Sequence, residues 1–141
     1  MNVQITTMSK IYMEEVILML HNNLSEYKPS VAEYDEIWES FSSQSNVFSV
    51  VAIIDKKVVG YGSIFIETKI RGGKAGHIED IVTHENFLNK GIGKLIQQHL
   101  YIKACEHGCH KIALQCRDHN VEFYKKCNYK TSGVGMQKFL S

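Results

Sequence analysis

The sequence is poor in proline, with Pro29 alone among 141 residues, and it has a single tryptophan. It contains no proline-rich linker, internal repeat or low-complexity segment. No apolar run approaches the roughly 20 residues that a membrane-spanning helix needs. The first stretch, MNVQITTMSK, has no basic region followed by an apolar core, so we expect no secretory signal and a cytoplasmic location. These absences predict one globular domain over residues 1–141.

The chain also lacks an excess of charge of either sign. Sixteen lysines and arginines balance 15 acidic residues, for a formal net charge of +1. Nucleic acids and anionic membranes attract proteins through an excess of positive charge. We therefore expect neither nucleic acid nor a membrane as a partner.

The four cysteines give no disulfide pattern, and all lie in the last third of the chain. Cys105, His107, Cys109 and His110 are close in sequence, but their spacing fits no standard zinc-ligand pattern. We therefore expect reduced thiols, buried as small apolar side chains, and no metal.

Hydrophobic periodicity predicts a mixture of helices and strands. The predicted strands cover 2–9, 48–55, 58–70, 75–84, 110–116 and 129–140, and the predicted helices cover 10–24, 31–41, 91–108 and 120–128. Ser30 and Glu33 have the spacing of a capping box at the second helix. The order β-αα-βββ-α-β-α-β indicates an α/β fold, with a mixed central sheet, helices on both faces and one right-handed crossover.

The stretch FLNKGIGKL (87–95) joins a predicted strand to the longest predicted helix. It is not a P-loop, because Leu95 follows Gly93 and Lys94 where Ser or Thr is required. It is not a dinucleotide fingerprint either, because Ile96 occupies the place of the third glycine. A glycine-rich helix start binds anions through its unpaired N–H groups and its dipole. Spacing alone leaves two interpretations open: a pyrophosphate site, or a glycine-softened helix start in a surface loop.

Two flanking stretches favour the first interpretation. GHIEDI (76–81) precedes the loop, and NVEFYKK (120–126) follows it. With the R/Q-x-x-G-x-G pattern over 88–93, they resemble the core of the GNAT N-acetyltransferase superfamily and, within it, the glucosamine 6-phosphate N-acetyltransferase family. The similarity is strong from about Ala75 to Gln137. It implies the GNAT-type acyl-CoA N-acyltransferase fold.

The resemblance implies acetyl-CoA as co-substrate. It places the pyrophosphate on the loop, at Asn89, Lys90, Gly91, Ile92, Gly93 and Lys94. It places the pantetheine and thioester along a bulged or splayed strand, at Ile81, Val82 and Thr83, where a main-chain N–H polarises the thioester carbonyl. Asn120 would contact the pantetheine, and Lys125 and Lys126 the adenosine phosphates. Leu88 stands where the family has Arg or Gln, so we expect main-chain contacts there.

The resemblance also implies catalytic roles for three side chains. Tyr124 corresponds to a tyrosine near the coenzyme sulfur, where it would protonate or hydrogen-bond the leaving thiolate. Glu79 and Asp80 would orient the acceptor amine. Because adjacent residues of a regular strand point to opposite faces, we expect that these two carboxylates do not serve one group together.

The acceptor that the resemblance implies is D-glucosamine 6-phosphate, on the route to UDP-GlcNAc, in a homodimer with the site near the interface. The substrate-binding residues would be Ser25, Lys69, Glu79, Asp80, Gln115 and Lys138. Gln115 replaces a family carboxylate and cannot act as a base. Lys138 stands near the place of an expected arginine. Two alternatives therefore stay open: acetylation of another amine (a peptide, lysine or polyamine), and a non-catalytic acyl-CoA-binding module.

Overall fold

The computed structural model describes residues 2–24 and 27–140. Its strands are β1 (Gln4–Thr7), β2 (Val47–Ile54), β3 (Lys57–Thr68), β4 (Lys74–Thr83) and β5 (Cys109–Leu114). Its α-helices are α1 (Met13–Asn23), α2 (Tyr34–Ser42), α3 (Ile92–Glu106) and α4 (Val121–Lys126). Apart from the last predicted strand, every predicted element is present, with ends displaced by one to three residues.

The five strands form one mixed sheet in the order β1-β2-β3-β4-β5. The first four run antiparallel to their neighbours, whereas β5 runs parallel to β4. Parallel neighbours need a long crossover connection, and here α3 provides it. This arrangement confirms the predicted α/β fold with a mixed sheet.

Helices cover both faces of the sheet, as predicted. On one face, α3 buries Ile92, Ile96 and Leu100 against β3 and β4. On the other face, α1 buries Met13, Val16 and Met19 in a cluster that includes Val58, Tyr61 and Val82. Each fully buried aliphatic side chain contributes about 1.5–3 kcal/mol. The sheet is therefore held rigidly where β4 passes between the two helical layers.

The prediction of a strand over 129–140 is wrong. The segment has no helix or strand, and all its residues except Tyr129 are exposed. The apolar side chains of Val134, Met136, Phe139 and Leu140 are 81–92% exposed. An extended segment becomes a strand only when a neighbouring strand supplies hydrogen-bond partners, and the described part of this chain supplies none to it.

Two smaller predictions had opposite outcomes. The capping box is confirmed, because the Ser30 main-chain N–H donates to Glu33 Oε2 at 2.8 Å. All four cysteines are unpaired, but Cys105 is exposed and the others are only half-buried, so the prediction of buried thiols is wrong. Cys105 lies in the last turn of α3, where the adjacent Ala104 is buried in the core and Cys105 faces solvent. Of the helices in the described ranges, none combines the length and hydropathy needed to cross a membrane.

Candidate active site

The loop before α3 presents main-chain N–H groups to open space. Asn89 and Gly91 both have left-handed backbone angles, with φ of 61° and 80°, and Gly91 is the N-cap of α3. No side chain caps this helix start, and no atom lies within 4 Å of where a Gly91 side chain would begin. Such turns align N–H groups into an anion-binding concavity. The Leu88 side chain is 55% exposed, and Lys90 and Lys94 are exposed as well.

Beside this loop, β4 and β5 separate. Their pairing begins at Lys74 and Cys109 and ends at Ile78 and Leu114. The last five residues of β4, 79–83, therefore have no strand on that side within the described chain. The predicted pantetheine residues Ile81, Val82 and Thr83 lie in this unpaired stretch. A flexible chain with amide groups fits such an edge, because it can add hydrogen bonds as a strand would.

Helix α4 closes the end of this cleft with aromatic side chains. A Cβ at Gly93 would lie 3.3 Å from Phe123 Cζ and 3.7 Å from Thr83 Oγ1, so the first turn of α3 touches both β4 and α4. The Tyr124 ring packs edge-to-face on Phe123 and on Tyr129, at 4.9 and 5.7 Å between centroids. Asn120 immediately precedes α4, and Lys125 and Lys126 end it in exposed positions. These contacts bring the start of α3, the end of β4 and the aromatic side chains of α4 together.

Tyr124 is held as a neutral phenol. Burial, reinforced by the nearby Cys116, Tyr129 and Cys127, raises its pKa to about 12. A group with this pKa keeps its proton at neutral pH and can donate a hydrogen bond. An ordinary thiol has a pKa of about 8.5, so coenzyme thiolate is a weaker base than the Tyr124 phenolate, and the phenol would hydrogen-bond the leaving thiolate while keeping its own proton.

A bulge in β4 corrects the prediction for Glu79 and Asp80. Val82 lies opposite Tyr61 of β3, and Glu79 lies opposite Ser63. Between these pairs β4 has two residues, 80 and 81, where β3 has only residue 62. Asp80 takes a left-handed φ of 58° to make this bulge.

The bulge interrupts the alternation of side chains along β4. Ile78 packs against the α3 layer, but Val82, four residues later, packs in the α1 layer. Glu79 is directly opposite Ser63, on the Tyr61 face of β3, and Asp80 borders a cavity beside α1. The expectation that these carboxylates lie on opposite faces is therefore wrong. Both face the α1 side.

The two carboxyls are electrostatically unusual although both reach solvent. Partial burial raises the pKa of Glu79 above its ordinary value, and the neighbouring Asp80 raises it further. Burial likewise raises the pKa of Asp80. Two carboxylates in this state attract a cation, and an ammonium group would relieve both effects.

The cavity beside Asp80 has a volume of about 170 Å³. Its wall consists of Ile17 and Leu20 from α1 and of Tyr27 and Pro29 from the following loop. Ser25, predicted to contact the acceptor, lies outside the described residues. The cavity therefore has an apolar wall facing an acidic strand, which suits a small polar molecule with an amine.

The other predicted acceptor residues lie in two places. Lys69 Nζ is 3.0 Å from Glu67 Oε1, and the same oxygen is 2.8 Å from His77 Nε2. His77 lies two residues before Glu79 on β4. Gln115 lies against the C-terminal segment, because a Cβ on Gly135 would come within 2.5 Å of its side-chain amide carbon. Lys138 is exposed in that same segment.

Three polar residues near the site were not identified from the sequence. Ser63 and Gln97 are the buried polar residues of the described chain, with 2% and 5% exposure. Gln97 Nε2 donates to the Tyr129 hydroxyl at 2.9 Å, which ties α3 to the segment after α4. Burial raises the pKa of Tyr61 to about 12, and the hydrogen bonds of Tyr61 with Ser63 and Ser49 offset this rise only in part. A polar residue inside the apolar run VVGYGSIFI was the available signal for Ser63.

Comparison with known proteins agrees with this geometry. The profile of the Acetyltransferase (GNAT) family matches residues 13–129. The chain is 37% identical over 122 residues to glucosamine 6-phosphate N-acetyltransferase 1 of Dictyostelium discoideum, covering 83% of this chain and 78% of that protein. It is 34% identical over 105 residues to the glucosamine 6-phosphate N-acetyltransferase of Schizosaccharomyces pombe, covering 73% and 95%.

A solved structure extends the agreement to the whole chain. Glucosamine-6-phosphate N-acetyltransferase from Arabidopsis thaliana superposes with a TM-score of 0.90 at 27% identity, covering 100% of both chains. The fold, the separation of β4 from β5 and the match to the family profile all support the same assignment. The chain therefore belongs to the acetyltransferase (GNAT) family and is an N-acetyltransferase that takes its acetyl group from acetyl-CoA.

Proposed function

We propose that this enzyme transfers the acetyl group of acetyl-CoA to the amine of D-glucosamine 6-phosphate, giving N-acetyl-D-glucosamine 6-phosphate for UDP-GlcNAc biosynthesis. The relatives named for this reaction cover most of the chain, which supports the choice of acceptor. The observation that carries the proposal is that Glu79 and Asp80 lie on one face and that Asp80 borders a small cavity there. An amine substrate needs an acidic site, and a walled cavity suits a sugar better than a peptide.

The proposed reaction is direct attack of the amine on the thioester while both substrates are bound. Glu79 and Asp80 would orient the amine, and their raised pKa values favour accepting its proton. A main-chain N–H at Ile81 or Val82 would stabilise the oxyanion, because 79–83 is unpaired toward β5. Tyr124 would hydrogen-bond the leaving thiolate and so stabilise its charge. Gln115 can accept a hydrogen bond but cannot remove a proton.

The same proposal assigns the binding of the two phosphorylated ends. The loop from Asn89 to Lys94 would bind the coenzyme pyrophosphate through its N–H groups, together with Asn120 and Lys126 further along the cleft. Lys69 would attract the sugar phosphate, and its contact with Glu67 holds its side chain near His77. Lys138 would contribute a second cation from the C-terminal segment, and Ser25, which lies outside the described residues, would add a further contact.

A homodimer is part of the proposal, and the C-terminal segment supports it. Four large apolar side chains of 129–140 are exposed, and β5 is the last strand of the sheet. Soluble proteins rarely leave such a segment uncovered, and an open strand edge accepts an added strand. A second copy of the chain would satisfy both features at once.

Analytical ultracentrifugation tests the dimer. We expect a dimer at micromolar concentration for the wild type and a monomer for the double variant Val134→Asp/Met136→Asp. The variant Lys130→Asp, which adds an acidic residue to the same segment without removing an apolar side chain, serves as the control. A wild-type monomer that acetylates its acceptor at full rate would contradict this part of the proposal.

A cytoplasmic location and one catalytic domain over residues 1–141 complete the proposal. The four unpaired cysteines support the location, because free thiols are usual in reducing compartments. Fractionation of cells that produce the tagged protein tests it, with the activity expected in the cytosolic fraction.

An amine panel at fixed acetyl-CoA tests the acceptor, with release of free thiol as the measurement. We expect turnover with glucosamine 6-phosphate, weaker turnover with glucosamine, and none above the rate in water with an N-terminal peptide, lysine or spermidine. Glucosamine is the matched control, because it differs from the proposed acceptor only by the phosphate. Good turnover of another amine, without turnover of the sugar phosphate, would refute the proposed acceptor.

A further inference from the structure

A buried hydroxyl outside the catalytic groups holds the bulge of β4. Ser63 Oγ donates a hydrogen bond to the main-chain carbonyl oxygen of Glu79 at 3.0 Å. Ser63 lies on β3 directly opposite Glu79, and only 2% of it is exposed. Serine is uncommon at such a buried strand position, and a buried hydroxyl is stable there only when it is hydrogen-bonded. One partner of this hydroxyl is the peptide group that begins the bulge, and the other is the side chain of Tyr61.

The position of that peptide group determines where the acidic side chains point. Asp80, with φ of 58°, is in the left-handed region, which is strained for any residue with a side chain. Such a conformation persists only where neighbouring groups hold it. A fixed Glu79 carbonyl also fixes the plane of the peptide that links it to Asp80. The side chains of Glu79 and Asp80 branch from the two Cα atoms of this plane, and the N–H of Ile81 belongs to the next peptide unit.

We propose that Ser63 is a positioning residue for acetyl transfer: its hydroxyl fixes the Glu79–Asp80 peptide so that both carboxylates face the acceptor cavity. Ser63 acts through the main chain and touches neither substrate. The inference rests on the proposed function for its kinetic readout. The loop before α3 that would bind the coenzyme pyrophosphate is built from other residues, so we expect most of the affinity for acetyl-CoA to remain when this bond is lost.

The variants Ser63→Thr and Ser63→Val test the proposal as a matched pair. Both place a branched side chain of nearly equal size at the buried position, and they differ only in hydroxyl against methyl. We expect kcat of the valine variant to be about tenfold below that of the threonine variant, because the buried hydrogen bond to the Glu79 carbonyl is lost. We expect their KM values for acetyl-CoA to agree within about twofold. Ser49→Ala serves as a further control, because Ser49 lies opposite Ser63 on β2 and shares its hydrogen bond to Tyr61 but not the one to the Glu79 carbonyl.

Equal kcat in the two Ser63 variants would overturn the proposal, as would an equal loss of kcat in Ser49→Ala. A rise in KM for acetyl-CoA as large as the fall in kcat would also overturn it, because it would indicate damage to the whole fold. Amide hydrogen exchange of Ser63→Ala gives a readout without activity. Faster exchange confined to 79–83 supports the proposal, and faster exchange across the sheet contradicts it. If the wild type acetylates a different amine, the acceptor proposal fails and the same comparison is made with that amine.

Discussion

Gly91 provides the most direct test of the coenzyme loop, because the same helix contains a matched control at its other end. Gly91 precedes α3 with φ of 80°, and Gly108 follows α3 with φ of 72°. Neither glycine has an atom within 4 Å of where a side chain would begin. Replacement of either by alanine therefore introduces the same backbone strain without a clash. The two positions lie on opposite ends of a helix of 15 residues.

The expected loss of stability is the same for the two alanine variants. An alanine in the left-handed region costs about 1–2 kcal/mol. With an unfolding entropy of about 2.1 cal/mol/K per residue, the chain has roughly 0.3 kcal/mol/K, so Tm falls by about 3–7 °C in each variant. Differential scanning calorimetry measures both values.

The expected effect on acetyl-CoA differs between them. A methyl group at position 91 would occupy the space before the N–H groups of the loop. Loss of one hydrogen bond to a charged phosphate costs about 1.5–3 kcal/mol, which weakens binding about 10- to 100-fold. We therefore expect KM for acetyl-CoA to rise by this factor in Gly91→Ala and to stay unchanged in Gly108→Ala. An unchanged KM in Gly91→Ala, or an equal rise in both variants, would refute the assignment of the loop.

Three further predictions concern the strand and the phenol beside it. Tyr124→Phe lowers kcat by about 100-fold with little change in KM for acetyl-CoA, as measured by steady-state kinetics. A loss of affinity for acetyl-CoA as large as the loss of kcat would indicate a packing role. Because the pKa of Tyr124 is about 12, the wild-type rate does not fall between pH 8 and pH 10 through loss of this proton. Asp80→Asn lowers activity and raises Tm at neutral pH. Because the pKa of Asp80 is raised in the folded protein, wild-type stability falls as pH rises through that pKa. The Tm values of the wild type and the variant therefore converge in acid, where Asp80 is protonated. Gly62→Ala lowers the free energy of unfolding by about 1–3 kcal/mol, because its methyl group would lie 2.6 Å from a carbon of buried Ile96, and urea denaturation measures the loss.

Controls separate these effects from general damage. Tyr129→Phe removes a neighbouring phenol whose hydroxyl contacts Gln97, and we expect it to change kcat less than Tyr124→Phe does. A Tm difference for Asp80→Asn that persisted below pH 3 would show that relief of backbone strain, and not charge, causes the gain. Wild-type stability in Gly62→Ala would mean that α3 is displaced from the sheet without cost.

The helices and strands were predictable because their causes are local. Capping at Ser30 and Glu33, the glycine after α3 and the apolar periods of each element depend on neighbouring residues alone. The C-terminal segment failed for the opposite reason. Its alternating residues have the composition of a strand, but a strand exists only beside another strand, and no such neighbour is present for 129–140 within the described chain.

The site was predictable in its residues but not in its geometry. The pattern of glycines before α3, with GHIEDI and NVEFYKK beside it, determined the family, the acetyl donor and the chemical types of the groups that meet at the cleft. Only the tertiary structure decided that Glu79 and Asp80 share a face, because this depends on one extra residue in β4 relative to β3. The same register shift gives Ser63 its partner, and the separation of β4 from β5 opens the coenzyme edge. Pairing between strands distant in sequence sets all three, and no local pattern encodes it.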